Sequence, residues 1–299
     1  MTVVFEQVFI LVAFALAGYG LSKAGVIKRE YSGLLSGLCV YIFLPCNVFK
    51  TFASRFTMEY LTEKYYFILV SALTIVVIAL AAHFLSGLFS KSGFQRDVYK
   101  YSLTIPNYGY MGYALAESLY GGGALLDLMM FAFPTSIYTY TVGYCMLTKR
   151  KLTPKRLLQP VIIAMLLGCV AGLWGVKIPG TIEEILGKSA ACMAPISMIL
   201  TGITISEFSV KALFGNGKLY IVTALRLLVI PCTVAGALKL LGLEQAIVPA
   251  LMMYAMPCGL NTIVFPKLIG EDCKVGAGLA CISSVLACVT IPICVSLFL

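Results

Sequence analysis

The sequence is poor in charged residues. Only 12% of its 299 residues are Asp, Glu, Lys or Arg, whereas about a quarter of a typical soluble domain is charged. Hydrophobic residues make up 60% of the chain and lie in runs of about 17 to 25 residues, the length that a helix needs to cross a bilayer. The lack of polar surface excludes an ordinary soluble domain, and the runs predict an all-α integral membrane protein.

Residues that bind metals or carry catalysis are also scarce. The chain has one histidine, His83, and no Cys-x-x-Cys pair, so a Cys/His zinc site is excluded. The chain has no HExxH motif and no histidine near a nucleophile, and both absences argue against an intramembrane enzyme. Ten of the 11 cysteines lie in apolar runs, which favours buried apolar side chains over a disulfide framework. We expect no cofactor, no metal and no enzymatic activity.

A basic segment is missing before the first apolar run, which starts at Val3. This run is therefore interpreted as a retained span and not as a cleaved signal peptide. Lys and Arg outnumber Asp and Glu by 22 to 13, but the basic residues lie in short loops between the runs. That distribution reflects membrane topology and argues against nucleic acid as a partner.

Ten spans are predicted. The first five cover residues 3–21, 32–52, 65–89, 98–119 and 125–147, and the second five cover 160–176, 185–205, 219–240, 246–269 and 275–299. With the N-terminus outside, the cytosolic loops hold 15 Lys and Arg residues and the opposite side holds 6. The densest cytosolic stretch comprises Lys149, Arg150, Lys151, Lys155 and Arg156. Positively charged loops stay in the cytosol, so both termini are predicted to lie outside.

Five spans per half require that a repeated half insert with inverted topology. Residues 1–150 and 151–299 carry matching prolines: Pro45 and Pro195 in the second span of each half, and Pro106 and Pro257 in the fourth. The basic loop around Pro154 is the natural join between the halves. Matching prolines in interrupted spans of two halves indicate the binding site of a carrier. The sequence therefore predicts a 5+5 inverted repeat.

Both fourth spans contain helix breakers followed by asparagine. In IPNYGYMGYALAESLYG, Pro106 is followed by Asn107, and in YAMPCGLNTIVFPKLIG, Pro257 is followed by Asn261. Unpaired backbone groups in lipid are costly, so the two breaks are expected to meet near the midplane around a polar cavity. Helices that begin beyond the breaks direct their positive dipole ends into this cavity, which suits a carboxylate or another small anion.

These segments resemble the auxin efflux carrier family, the plant PIN-type and bacterial membrane transport proteins. The resemblance rests on Pro106-Asn107, Met111-Gly112 and Leu119-Tyr120-Gly121, and on Ala255-Met256-Pro257 with Phe265 and the stretch 283–292. The chain departs from the family at Tyr113-Ala114, where a second proline is common. It also lacks the long central loop of plant members, so a compact bacterial-type carrier is a better match than an auxin carrier.

The resemblance implies crossing broken helices, as in bile-acid symporters and antiporters of the NhaA type. It also implies organic-anion transport by an elevator motion, with spans 1, 2, 6 and 7 as scaffold and spans 3–5 and 8–10 as the moving part, often in a homodimer. The substrate-binding residues are predicted to be Pro106, Asn107, Tyr108, Gly109, Met111, Gly112, Pro257, Cys258, Gly259 and Asn261.

Other polar residues leave alternatives open. Glu117 carries a coupling proton or lies at the outer interface. Arg226 attracts the anion, snorkels toward the cytosol, or forms a structural pair. Tyr138 to Tyr140 are interpreted as part of an interfacial aromatic belt. The leading hypothesis is a carrier of a small organic anion in the cell membrane. The alternatives are a sodium- or proton-coupled symporter of a neutral or bile-acid-like solute, a channel, or an intramembrane enzyme. The coupling ion, H⁺ or Na⁺, stays open.

Overall fold

The computed structural model describes residues 2–153, 158–208 and 216–299. The predicted join at Pro154, and Lys155, Arg156 and Lys211 of the charge count, lie outside these ranges. The α-helices in chain order are α1 (Thr2–Lys23), α2 (Ser32–Leu38), α3 (Leu44–Arg55), α4 (Met58–Lys64), α5 (Tyr66–Phe89), α6 (Gly93–Thr104), α7 (Tyr113–Tyr138), α8 (Tyr144–Thr148), α9 (Pro160–Leu173), α10 (Gly180–Ala191), α11 (Met193–Ser206), α12 (Gly217–Ala224), α13 (Ile230–Leu240), α14 (Ile247–Tyr254), α15 (Asn261–Lys267) and α16 (Lys274–Phe298).

The prediction of an all-helical membrane protein is confirmed for the described residues. Their β pairing is limited to an isolated bridge between Pro106 and Cys258. Six helical segments are long and apolar enough to cross a membrane: Val3–Lys23, Ser32–Arg55, Tyr66–Phe89, Gly180–Ser206, Gly217–Leu240 and Lys274–Phe298. Apolar side chains such as Leu73 and Phe84 on α5 point outward. Exposed apolar surface of this extent needs lipid as its solvent.

Two of the long segments continue through single π-helical turns. Cys39–Phe43 joins α2 to α3, and Leu225–Val229 joins α12 to α13. In each segment a proline lies at the start of the helix that follows, at Pro45 and Pro231. A proline removes a backbone donor, and a wider helical turn accommodates the loss without ending the helix.

The predicted fourth and ninth spans are interrupted. The helix α6 ends at Thr104, and a π-helical turn over Tyr108–Gly112 leads into α7. A second bend follows at Gly121, whose φ of +80° is left-handed and favours glycine. In the second half of the chain, α14 ends at Tyr254 and α15 begins at Asn261. The breaks predicted from Pro106 and Pro257 are therefore present.

Two helix pairs pack at very short range. The helix α1 lies against α11, and α3 lies against α9. Gly172 of α9 lies so close to α3 that an added Cβ would be 2.4 Å from the Phe56 carbonyl oxygen. Gly202 of α11 is still closer, with its Cβ position 1.8 Å from the Ala15 carbonyl oxygen on α1. Small residues that let backbones approach are the usual basis of helix association in membranes.

The remaining helices pack around the interruptions. The helix α7 contacts α5 and α14, and α16 contacts α6 and α12. Polar contacts connect several helix termini: Asp97 with Lys149, Glu207 with Lys267, and Lys218 with the Phe89 carbonyl. These residues belong to loops that were assigned to one side of the membrane from the charge count.

Candidate functional site

The two interruptions meet face to face. Pro106 and Cys258 form a short antiparallel bridge, and the Asn107 amide donates a hydrogen bond of 2.8 Å to the Pro257 carbonyl. The two interrupted segments therefore contact each other inside the protein, and their position at the midplane of a membrane stays a prediction.

Local chemistry explains why α6 stops where it does. In a continuous helix the carbonyls of Ser102 and Leu103 would pair with the amides of residues 106 and 107. Pro106 has no amide hydrogen, and the Asn107 amide is used by Pro257. The helix therefore loses two successive bonds, and its last carbonyls need other partners.

New helices start immediately beyond both breaks. The Asn107 carbonyl accepts bonds from the amides of Met111 at 3.2 Å and Gly112 at 3.3 Å, which begins the π-helical turn. The helix α15 begins at Asn261, as the sequence predicts. The first amides of a helix have no partner within the helix and carry the positive end of its dipole. Two such ends lie close to the bridge; in α15 the amides of Thr262 and Ile263 already donate to the carbonyls of Gly259 and Leu260, so the dipole and not these free amides acts there.

A cavity of about 60 Å³ lies beside the crossing. That volume holds roughly four water molecules at ~15 Å³ each. Its walls include four tyrosines, two hydroxyl side chains and both asparagines, and no acidic or basic side chain among the described residues lines it. The lining residues are Val40, Leu44, Ile105, Pro106, Asn107, Tyr108, Gly109, Tyr110, Tyr113, Ser136, Thr139, Tyr140, Val161, Gly259, Leu260 and Asn261.

The two asparagines differ in how they are held. The Asn261 side-chain amide donates a bond of 3.0 Å to the Tyr101 hydroxyl. Asn107 is 6% exposed, and its side-chain amide has no hydrogen-bond partner within the described part of the chain. A buried amide without a partner costs free energy unless water or a ligand satisfies it. The Asn107 amide is thus open to the cavity and available to a solute.

Six of the ten predicted site residues line this cavity: Pro106, Asn107, Tyr108, Gly109, Gly259 and Asn261. The other four, Met111, Gly112, Pro257 and Cys258, contribute to packing instead. A Cβ at Gly112 would lie 2.7 Å from the Met252 carbonyl oxygen, so this glycine lets α7 approach α14. The Cys258 amide donates a bond of 2.9 Å to the Ser283 hydroxyl.

Several cavity residues were not predicted from the sequence. Tyr140, interpreted as part of an interfacial belt, lies in the cavity wall. Tyr101 holds Asn261, and Ser136 holds the Tyr108 hydroxyl at 2.8 Å. Tyr101 and Ser136 lie one on each side of the first break in the chain, and no local motif marks them.

Glu117 and Arg226 occupy different environments. Glu117 is exposed and lines a polar cavity with Lys50, Arg55 and Glu183, which agrees with a position at an interface. Arg226 is completely buried, so the snorkelling alternative is wrong. Its Nη1 donates to the Leu103 carbonyl at 3.2 Å and its Nε to the Met256 carbonyl at 3.4 Å.

Asp127, on α7, is a further ionisable residue that was not predicted from the sequence. Its carboxylate accepts a bond of 2.7 Å from the hydroxyl of Tyr60 on α4. Burial, together with the nearby Asp127 carboxylate, raises the pKa of the Tyr60 phenol, which therefore stays protonated and donates. This contact joins α4 to α7 away from the crossing.

Comparison with known proteins places the chain in a family. The profile of the family described as membrane transport protein matches residues 3–155 and 149–295. The chain belongs to this family. The family is the auxin efflux carrier family that the sequence resembles, so the protein is a multi-pass membrane transporter.

Two relatives are similar to this chain, one over most of its length and one over part of it. An uncharacterized transporter of Methanocaldococcus jannaschii is 23% identical over 282 residues, which cover 90% of each chain. An uncharacterized transporter of Schizosaccharomyces pombe is 28% identical over 113 residues, or 36% of this chain and 24% of the relative. Both relatives are named only as uncharacterized transporters, and neither name specifies a solute.

Proposed function

We propose that the protein is a secondary transporter of a small organic anion, a carboxylate, across the cytoplasmic membrane. The crossing of the interrupted helices holds the solute. The observation that carries the proposal is the Asn107 side-chain amide, which lines the cavity without a hydrogen-bond partner among the described residues, at a place where two helices begin. Amide donors and positive dipole ends stabilise a carboxylate without placing a full positive charge in the membrane.

The walls of the cavity support the choice of an organic anion. Tyr108, Tyr110, Tyr113 and Tyr140 surround the asparagines. Phenol rings present apolar faces to a hydrocarbon group and hydroxyls to a polar one. No acidic side chain lines the described cavity, so nothing there repels a carboxylate.

The packing supports an elevator with a 5+5 inverted repeat over residues 1–150 and 151–299. The α1–α11 and α3–α9 pairs join predicted spans 1 with 7 and 2 with 6. Exchanging the two halves converts one pairing into the other, as an inverted repeat requires. These four spans form the proposed scaffold, and spans 3–5 and 8–10, which carry both interruptions, form the moving part.

The proposed setting is the cell membrane, with both termini outside and two copies in a homodimer. The orientation rests on the 15 to 6 distribution of Lys and Arg. The polar contacts of Asp97 with Lys149 and of Glu207 with Lys267 support it, because each joins two segments that the charge count assigns to the same side of the membrane.

The test uses purified protein and a panel of carboxylates. Binding is measured by thermal shift, because a ligand of the native state raises the unfolding temperature, and uptake is measured in liposomes. Asn107→Ala and Asn261→Ala are expected to abolish both. The control is Asn216→Ala, which removes the side-chain cap of α12 outside the cavity and should retain binding. Full binding by both cavity variants would show that the site is elsewhere.

A second candidate is a symporter of a neutral or bile-acid-like solute, which the uncharged cavity lining also allows. Asn107→Asp separates the two because it keeps the shape and adds a negative charge. An anionic solute should bind at least about tenfold more weakly, since like charges at close range cost more than ~1.4 kcal/mol. A neutral solute should bind nearly as before. Proton or sodium dependence of uptake identifies coupling.

A further inference from the structure

Arg226 carries a buried guanidinium close to the crossing. The residue is completely buried, and none of the ion pairs among the described residues includes it. Burial of an unpaired charge is costly in any protein and especially in a membrane. Arginine stays protonated in proteins, so deprotonation does not relieve the cost. Some other source of negative potential must hold this cation.

That source is a set of helix carbonyls. Nη1 bonds to Leu103, in the last turn of α6, and Nε bonds to Met256, two residues beyond the end of α14. Both carbonyls lie at C-terminal ends of the interrupted helices, where the dipole is negative and backbone partners are missing. The face of the Tyr254 ring adds negative potential, with its centroid 5.8 Å from the guanidinium carbon.

The same arrangement would suit a monovalent metal ion. Carbonyls at the C-terminal ends of discontinuous membrane helices coordinate Na⁺ in several carriers. Here one guanidinium bonds to the end of α6 and to the Met256 carbonyl just beyond α14. The Arg226 side chain reaches these carbonyls from the π-helical turn that joins α12 to α13. A metal ion at these carbonyls would have to displace a tethered cation.

We propose that Arg226 is a built-in cation that occupies the place of a coupling metal ion at the helix crossing. The protein accordingly binds its solute without sodium. Because arginine does not release its proton, the place is not a proton-coupling site either. This inference deepens the proposed function, since it assigns the coupling behaviour of the same crossing. It also assigns Arg226 a positioning role, in which it holds both helix ends and does not contact the solute.

The first experiment needs no solute. The unfolding temperature of the full-length protein in detergent is measured in equal concentrations of sodium, potassium or choline chloride. The wild type is expected to unfold at the same temperature in all three. In Arg226→Ala the carbonyls lose their cation, so the unfolding temperature should fall by several degrees. Low concentrations of guanidinium or sodium should restore part of the loss.

A matched control separates this effect from general salt effects. Arg96→Ala also removes an arginine that donates to a backbone carbonyl, that of His83 at 3.1 Å, but at an exposed place. Guanidinium should not restore this variant. Arg226→Lys keeps a charge and should stay insensitive to sodium. Arg226→Gln keeps donors without charge and should be destabilised.

Specific stabilisation of the wild type by sodium would overturn the proposal, and so would a folded Arg226→Gln as stable as the wild type in choline. If Arg226→Ala does not fold, the sodium dependence of the wild type and the stability of Arg226→Gln in choline still test the proposal. Carboxylate binding is then compared in sodium and choline and should be equal. Failure of every carboxylate to bind would refute the proposed function and leave the solute-free result on Arg226 intact.

Discussion

Two glycines in the first turn beyond the break allow a sharp test of the packing at the crossing. Gly109 and Gly112 lie three residues apart in the same π-helical turn. A Cβ at Gly112 would lie 2.7 Å from the Met252 carbonyl oxygen, whereas a Cβ at Gly109 would meet no atom within 4 Å. The same substitution to alanine therefore has a steric cost at one position and none at the other.

The size of the effect follows from this geometry. Ordinary contacts of a Cβ begin at 3.4 Å, so the backbones of α7 and α14 must separate by about 0.7 Å. Overpacking of this kind costs about 1 to 3 kcal/mol. Replacing glycine by alanine in a helix gains roughly 0.5 to 1 kcal/mol at either position. The difference between the two variants isolates the steric cost.

Thermal unfolding of the purified protein measures this difference. Gly109→Ala is expected to match or slightly exceed the wild type. Gly112→Ala should unfold roughly 2 to 12 °C below Gly109→Ala, taking about 2 to 4 °C per kcal/mol for a steric cost of about 1 to 3 kcal/mol. Equal unfolding temperatures would refute the close approach of the Gly112 backbone to α14. Because a separation of α7 and α14 also shifts the cavity wall, Gly112→Ala should weaken solute binding.

Two further predictions concern the scaffold and the topology. Gly202→Ala places a Cβ 1.8 Å from the Ala15 carbonyl oxygen, so α1 and α11 must separate and the variant should lose more stability than Gly112→Ala. The control is Gly236→Ala, where the added Cβ has open space around it. Equal unfolding temperatures for Gly202→Ala and Gly236→Ala would contradict the packing. For orientation, a single cysteine at position 241 in a background without native cysteines should react with an impermeant thiol reagent in intact cells, and one at position 91 only after permeabilisation. The reverse pattern would contradict the proposed topology.

Features set by short-range chemistry were predictable. Long apolar runs predict membrane helices because each residue in lipid must bury its backbone polar groups in a helix. Pro106 and Pro257 predict the interruptions because proline lacks a donor wherever it stands. For the same reason the start of α15 at Asn261 follows from the breakers just before it. These conclusions need no knowledge of the neighbouring helices.

The composition of the cavity wall was only partly predictable. The predicted set contained residues near the breaks, and six of ten line the cavity. Met111 and Cys258 do not, because which side of a distorted turn faces a cavity depends on the helix that packs against the other side. Tyr140 lines it from the π-helical turn that follows the far end of α7, and its sequence context alone indicated an interfacial aromatic residue.

The low charge, the apolar runs and the paired breakers determined by sequence alone that this is a helical membrane protein with two interrupted segments. Only the tertiary structure decided what those interruptions contact. Arg226 reaches a carbonyl 123 residues away in the chain, and Asn261 reaches a hydroxyl 160 residues away. Contacts at such separations depend on how whole helices pack, and local propensities carry no record of that packing.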